Sequence, residues 1–456
     1  MLYVCKNRII KEKIKKEFKI MDKKTFRDML VIGFAMFATF FGEGNMIFPP
    51  SIGFVAGSGW FVALIGFFIS AIALPILSVV SASQNGGFEN IADKVSPNFS
   101  KIFVILIMII VGVIVGVPRT GATAHELGIQ PLLPHVSSII TSIFFYGISI
   151  YFAINPTTVI DKIGKFLTPV LLIILTIIIF TGITSPISTP VDTGLKNVFT
   201  MAFTGGYQTG DALGGVVIAS VFMSAVIAKG YSDSKEQNKM IMLCGVVAGL
   251  GLLLVYGGLL YIGATGASVF PADVEKTVLL DGLVRGLLGK TGITCLGIAV
   301  IFACLTTNIG ISAAVSQFFS SLLNDKVTYK AIVIILNIFG LIISNIGVEN
   351  IVKFAIPIFL VIYPVAIVLI IMGLFNQVIP NRGAYIGAVY CTLLVSIFDT
   401  LVMYGVNIKP IQSFISYLPF SSKGFSWITP AIFGLIIGIL VFSKITKEEN
   451  QEYNLS

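Results

Sequence analysis

The sequence predicts an all-α polytopic membrane protein of about twelve transmembrane helices. Composition is the first reason: 56% of the 456 residues are hydrophobic and only 11% are charged, whereas a soluble domain carries about a quarter charged residues. The second is a series of apolar runs of roughly 18–25 residues, each long enough to cross about 30 Å of hydrocarbon. The third is the absence of an alternating barrel pattern. That leaves helices as the spanning structure whose backbone is satisfied within lipid.

Apolar windows set against turn clusters place the spans at 28–52, 58–83, 101–126, 136–155, 163–184, 197–228, 238–264, 289–323, 328–346, 350–376, 381–406 and 426–444. The chain then divides into a basic N-terminal tail (1–27), a ten-helix core (28–376), two accessory helices (377–444) and a C-terminal tail (445–456). Segments 184–197, 265–288 and 407–425 are rich in Gly, Pro, Ser and Thr and read as outer loops.

The net charge of +8 suggests nucleic acid at first, but its placement argues otherwise. Ten basic residues, Lys6 to Arg27, precede the first span, where they orient a membrane protein and favour anionic lipid. With the N-terminus inside, the inner segments hold 22 of the 30 Lys and Arg, so both termini are expected in the cytoplasm. The start does not read as a cleavable signal, because the basic region and the apolar segment after it are both too long. Met21 opens "MDKKTFRDML", which reads as a start by itself, so residues 1–20 are expected to be an extension. Cysteines at 5, 244, 295, 304 and 391 have no paired spacing, and the two histidines, His125 and His135, stand apart, which argues against disulfides and a metal cluster. No cofactor and no obligate protein partner is expected.

Two spans are interrupted. The first breaks at Gly42-Glu43-Gly44 within "TFFGEGNMIFPP" (39–50), and the sixth within "TGGYQTGDALGG" (204–215). Glycine tolerates backbone angles outside the helix, and Pro49 and Pro50 lack N–H groups, which frees the Asn45 and Met46 carbonyls. Unpaired backbone at membrane depth costs several kcal/mol per group and survives where it lines a cavity or binds something. The half-helix after such a break aims N–H groups and a positive dipole end at an anion, while free carbonyls before it suit a small cation. Glycines that merely allow close packing are the plainer reading. Interruptions at the same ordinal place in two sets of five spans favour a secondary transporter with inverted repeats.

Segment 8 contains "FACLTTNIG" (302–310), where Thr306, Thr307 and the Ala303 carbonyl make half of an oxygen cage for a cation. The alternative is that both hydroxyls bond back to their own helix. Glu43, Arg119, Glu126 and Asp211 are intramembrane ionisable residues and functional candidates by default. Arg119 and Glu126 equally suit an interfacial, snorkelling role, and Asp211 a structural or ion-linked one. An enzyme using His125 and Glu126 is disfavoured, because neighbouring residues on a helix point about 100° apart and no nucleophile or metal set accompanies them.

"FFGEGNMIFPPSIG", "PRTGATAHELGIQPL", "GGYQTGDALGG", "FACLTTNIG", "ISNIG" and "IPIFLVIYP" resemble the branched-chain amino acid:cation symporters of bacteria, over residues 25–444. That family is similar to the amino acid–polyamine–organocation superfamily, with its five-plus-five inverted-repeat, leucine-transporter-like core and broken helices 1 and 6. The resemblance implies import of leucine, isoleucine and valine across the bacterial plasma membrane, coupled to sodium, with a proton as the alternative. By motif, it implies that Gly42, Glu43 and Gly44 offer N–H groups to the substrate carboxylate and that Thr204, Gly205, Gly206 and Tyr207 form the facing wall. It likewise implies sodium ligands at the carbonyls of Ala38, Phe41 and Ala303, the hydroxyls of Thr306 and Thr307, and Asn45. Glu43 departs from the pattern, since the family usually has a small residue there. Beside an incoming carboxylate it must be protonated, turned away or bound to a cation.

Overall fold

The computed structural model describes residues 22–154, 159–406 and 409–455. All regular secondary structure among them is helical. The expected extension 1–20 lies outside the described residues. Among the described residues seven helices are long and apolar enough to cross a membrane, and four shorter apolar helices accompany them.

In chain order, leaving aside the single-turn helix Phe88–Ala92 and the short 3-10 turns, the helices are α1 (Lys23–Phe40), α2 (Gly44–Ala56), α3 (60–84), α4 (Pro97–Ile129), α5 (Ser138–Ala153), α6 (Val159–Thr184), α7 (Val198–Gly206) and α8 (Asp211–Ala228). They continue with α9 (Ser234–Thr265), α10 (Lys276–Leu322), α11 (Tyr329–Ser344), α12 (Val348–Leu374), α13 (Arg382–Met403), α14 (Lys409–Tyr417) and α15 (Ile428–Leu455). Both expected interruptions occur: α1 gives way to α2 across residues 41–43, and α7 to α8 across 207–210. Pro49 and Pro50 lie inside α2 without ending it.

Two expected loops are partly helical. Segment 265–288 contains the first turns of α10, which runs from Lys276 and kinks at Gly289, where φ is 62°. Leu279, Leu280, Leu283 and Val284 bury one face of these turns, a helical period hidden in the sequence by the glycines around it. Segment 407–425 contains α14.

Packing places the breaks at the centre. α9 lies along both α1 and α2, and α3 touches both α7 and α8. α13 and α15 cross through small residues: a methyl group on Gly387 would collide with the Gly434 carbonyl, and one on Gly438 with the Gly383 carbonyl. That close backbone approach is how membrane helices associate when apolar burial offers little advantage over lipid. At one end of the bundle, Asn85 donates to the Gly373 carbonyl at 2.9 Å, Asn376 donates to Asn85 Oδ1 at 2.7 Å, and Lys94 donates to Asn376 Oδ1. These bonds tie the end of α3 to the end of α12.

Candidate functional site

At the first break, Phe41 leaves helical geometry at φ −87°, ψ 83°, and α2 starts at Gly44. The N–H groups of Asn45 and Met46 bond back to the Gly42 and Glu43 carbonyls, each at 3.2 Å. The N–H groups of Glu43 and Gly44 are therefore the donors that this helix start leaves without an intrahelical acceptor. At the second break, residues 207–209 make a tight turn and Gly210 takes φ 78°, a left-handed value that glycine adopts without penalty. The Thr209 hydroxyl donates to the Gly206 carbonyl at 2.9 Å and accepts the Asp211 N–H at 3.3 Å.

Charged side chains stitch the breaks together. Arg119, from α4, donates through Nε to Glu43 Oε1 at 2.8 Å, with the two side chains only 7% and 2% exposed. Its Nη1 donates to the Gln208 carbonyl at 2.7 Å, and its guanidinium lies 5.4 Å from the Phe48 ring centre. One guanidinium is thus held by a residue from each break. Asn45 Nδ2 donates to Asp211 Oδ2 at 3.0 Å and also to the Phe40 carbonyl, while its Oδ1 is buried without a hydrogen-bond partner. Buried charge in a membrane needs such partners. Glu43, the acid that stood out in the Gly-x-Gly, is therefore paired and held by Arg119.

A cavity of about 400 Å³ lies against both breaks. Ala38, Gly42, Glu43, Gly44, Asn45, Arg119, Asp211, Thr306 and Thr307 line it, and Met108, Val111, Ile311 and Val315 supply apolar wall. From the breaks it runs along α1 and α8; it meets α2 only at its first two residues, Gly44 and Asn45, and does not reach α7. Phe41 turns its ring instead toward Phe37 and Tyr256, with centroids 5.6 and 6.1 Å away. The Ala303 carbonyl accepts the Thr306 hydroxyl at 2.9 Å, and the same hydroxyl reaches the Phe302 carbonyl at 3.1 Å. That is the self-bonded arrangement weighed for membrane threonines.

Thr204, Gly205, Gly206 and Tyr207 do not line this cavity. Thr204 donates to the Thr200 carbonyl at 2.9 Å, Gly205 faces Ile52 and Gly206 faces Ser70. Tyr207 is buried and stacks on Tyr363 of α12, with centroids 4.4 Å apart and ring planes 15° apart. Tyr363 escaped the residue-level reading although it sits in "IPIFLVIYP", because nothing in a single sequence marks a ring as a stacking partner. The Gln208 carbonyl was equally unreadable, being a backbone group.

Glu126 is elsewhere. Its Oε2 accepts the Thr277 hydroxyl at 2.7 Å and its Oε1 the Val348 N–H at 2.8 Å, in a second cavity of about 460 Å³ that His125 and Glu349 also line. His125 Nδ1 contacts the Thr141 hydroxyl at 3.0 Å.

Two broken helices around a polar, partly charged cavity suit a carrier, and residues 25–445 match the family described as branched-chain amino acid transport protein. The chain belongs to this family. The transporter is 35% identical over 426 residues to the branched-chain amino acid permease BraB of Bacillus subtilis, covering 91% of this chain and 95% of that one. It is 30% identical over 420 residues to the branched-chain amino acid transport system 2 carrier protein of Pseudomonas aeruginosa, with coverage of 91% and 95%. Among solved structures it is similar to the inward-facing conformation of Mhp1, at a TM-score of 0.58 and 16% identity over 92% of this chain and 91% of that one. It is also similar to a manganese transporter of Eremococcus coleocola, at a TM-score of 0.54 and 14% identity over 92% and 97%. At such identities the likeness speaks to the fold alone. The protein is a multi-pass membrane transporter rather than an enzyme, and its substrate is a small molecule of the amino acid class.

Proposed function

We propose that this transporter is a symporter that imports leucine, isoleucine and valine across the bacterial plasma membrane by alternating access, with sodium as the coupling ion. The observation that carries the reading is the meeting of both helix breaks at one cavity, joined by the Asn45–Asp211 hydrogen bond of 3.0 Å. The relatives, a branched-chain amino acid permease and a branched-chain amino acid carrier protein, support the substrate class.

The finer architecture we assign is twelve spans, with a five-plus-five inverted-repeat core at 28–376 and accessory helices at 377–444. Its support is geometric. α1 precedes its break and α8 follows its own, yet the two share the cavity, as halves of oppositely oriented repeats should. With both termini cytoplasmic, as the lysine and arginine bias predicts, the cavity faces inward. The Tyr207–Tyr363 layer then closes the outer side.

In this reading the N–H groups of Glu43 and Gly44, beside Gly42, take the substrate carboxylate. Thr204, Gly205, Gly206 and Tyr207 line the substrate site once the outer side opens. The cation is held by the Ala38, Phe41 and Ala303 carbonyls, the Thr306 and Thr307 hydroxyls and Asn45 Oδ1. Two observations support that set. The Thr306 hydroxyl spends its proton on its own helix and so keeps lone pairs for a cation, and Asn45 Oδ1 is a buried acceptor without a partner. The charges also favour a cation: Glu43 and Asp211 face a single Arg119, which leaves the cavity one negative charge in excess.

One sodium ion crossing about 100 mV down a tenfold gradient supplies roughly 2.3 and 1.4 kcal/mol, enough for several-hundred-fold accumulation. Labelled leucine uptake with sodium replaced by choline tests the reading, and unchanged uptake would sink the sodium assignment. A proton is the second reading, favoured by one observation: among the described residues Asp211 has no ion-pair partner, and protonation would neutralise it. Uptake driven by an imposed pH gradient without sodium would select it.

A further inference from the structure

We propose that Arg119 binds the substrate carboxylate directly and that Glu43 is the residue that aims it. The inference rests on the reading of the chain as an amino acid carrier and deepens it by naming the anion-recognition group.

A guanidinium has five N–H donors in a rigid plane. Two of its nitrogens are committed on opposite sides, Nε to Glu43 Oε1 at 2.8 Å and Nη1 to the Gln208 carbonyl at 2.7 Å. Two such holds fix the plane. The remaining nitrogen, Nη2, is turned to the start of α2: a methyl group on Gly44 would lie 2.9 Å from it. Both Arg119 and Gly44 line the cavity. The donors that converge on that point are therefore Nη2 and the N–H groups that open α2, a combination of charge-assisted and backbone donors suited to a carboxylate. Glycine at position 44 is what lets the guanidinium lie this close to the start of α2, since a side chain there would run into Arg119 and the Phe48 ring.

The same geometry explains an acid between two glycines. Alone, Glu43 would repel an incoming carboxylate. Bonded to Nε, it neutralises part of the guanidinium charge and holds the far edge toward the ligand. Asp211, linked to Asn45 at 3.0 Å on the other wall, is then the carboxylate left for the substrate ammonium. Every charge of a bound zwitterion finds an opposite one.

The test is ligand binding to the purified full-length protein in lipid nanodiscs, comparing leucine with leucinamide, which keeps the ammonium and side chain but lacks the carboxylate. The parent protein should bind leucine more tightly than leucinamide by about thirtyfold, the range a charge-assisted hydrogen bond supplies. In Arg119→Gln this preference should drop to the few-fold that the backbone N–H groups supply, through weaker leucine binding with leucinamide within threefold of its parental value. Arg119→Lys, a charge without the planar fork, should fall between. Glu43→Gln, which keeps an acceptor for Nε, should retain more of the preference than Glu43→Ala. A parent protein that binds leucinamide as tightly as leucine overturns the inference without any variant. So does Arg119→Gln weakening both ligands in step, the signature of a merely structural pair. A parent protein that binds no leucine at all is a different failure, that of the amino acid carrier reading.

Discussion

Asn45 and Asp211, 166 positions apart in the chain, meet across the two helix breaks, Nδ2 to Oδ2, at 3.0 Å. The same Asn45 amide also reaches the Phe40 carbonyl, so one side chain joins the end of α1, the start of α2 and the start of α8. Asp211 is the cavity carboxylate without an ion-pair partner among the described residues and, when ionised, carries the cavity's excess negative charge. Asp211→Asn keeps the size and removes that charge. We expect maximal leucine uptake to fall at least about tenfold at matched membrane abundance, with the sodium response flattened, because one ion-linked charge governs several kcal/mol in a membrane site. A sodium titration of leucine uptake checks it, and a parental response in Asp211→Asn would remove Asp211 from the coupling site.

The Tyr207–Tyr363 stack makes a prediction about stability. The Tyr207 hydroxyl is buried without a hydrogen-bond partner. Removing a buried, unsatisfied hydroxyl relieves a desolvation cost, so Tyr207→Phe should raise stability by about 1 kcal/mol. Tyr207→Ala deletes the whole ring from the contact and should lower it by about 3–5 kcal/mol. Thermal melting of the detergent-solubilised protein measures both, and opposite signs are the expected result.

These residues also show what a single sequence can yield. The first break is legible to within a residue and the second as lying inside 204–215, because glycine, proline and a charge inside an apolar run leave few other readings. Thr306 and Thr307 were legible as cavity residues for the same reason, being polar in an apolar helix. The partner of Glu43 was not. Arg119 lies 76 positions away, and an isolated arginine near the end of a span reads equally well as snorkelling. The helical turns 276–288 are hard to read because their period is short and broken by glycine, and the stacking of Tyr207 on Tyr363 is a tertiary fact that no single sequence states. Local chemistry was visible, and long-range pairing was not.

The cation assignment predicts a specific kinetic change. Thr306 bonds to its own helix at 2.9 and 3.1 Å, so its alanine variant should fold normally. Thr307 lies beside the first break, its hydroxyl 3.6 Å from where a methyl group on Gly42 would stand. Thr306→Ala with Thr307→Ala removes two oxygen ligands. The sodium concentration for half-maximal leucine uptake should rise about tenfold or more, at roughly 1 kcal/mol or more for each lost ligand. An unchanged sodium dependence would mean that the ion sits elsewhere.

Glu126 should behave differently from Glu43, Arg119 and Asp211, although all four are ionisable groups within apolar segments. Its two oxygens accept the Thr277 hydroxyl at 2.7 Å and the Val348 N–H at 2.8 Å, so it caps the start of α12 and fastens α4 to the first turns of α10. Loss of an N-terminal cap costs about 0.5–2 kcal/mol, and loss of the hydroxyl bond about 1 kcal/mol more. Glu126→Ala should therefore lower the melting temperature. Glu126→Gln, which keeps one acceptor and gains a donor, should lower it less. Neither should shift the sodium concentration for half-maximal uptake, since Glu126 does not line the cavity at the breaks. Paired melting and sodium-titration experiments separate the two roles. A variant with normal melting but tenfold weaker leucine binding would instead assign Glu126 to the substrate path.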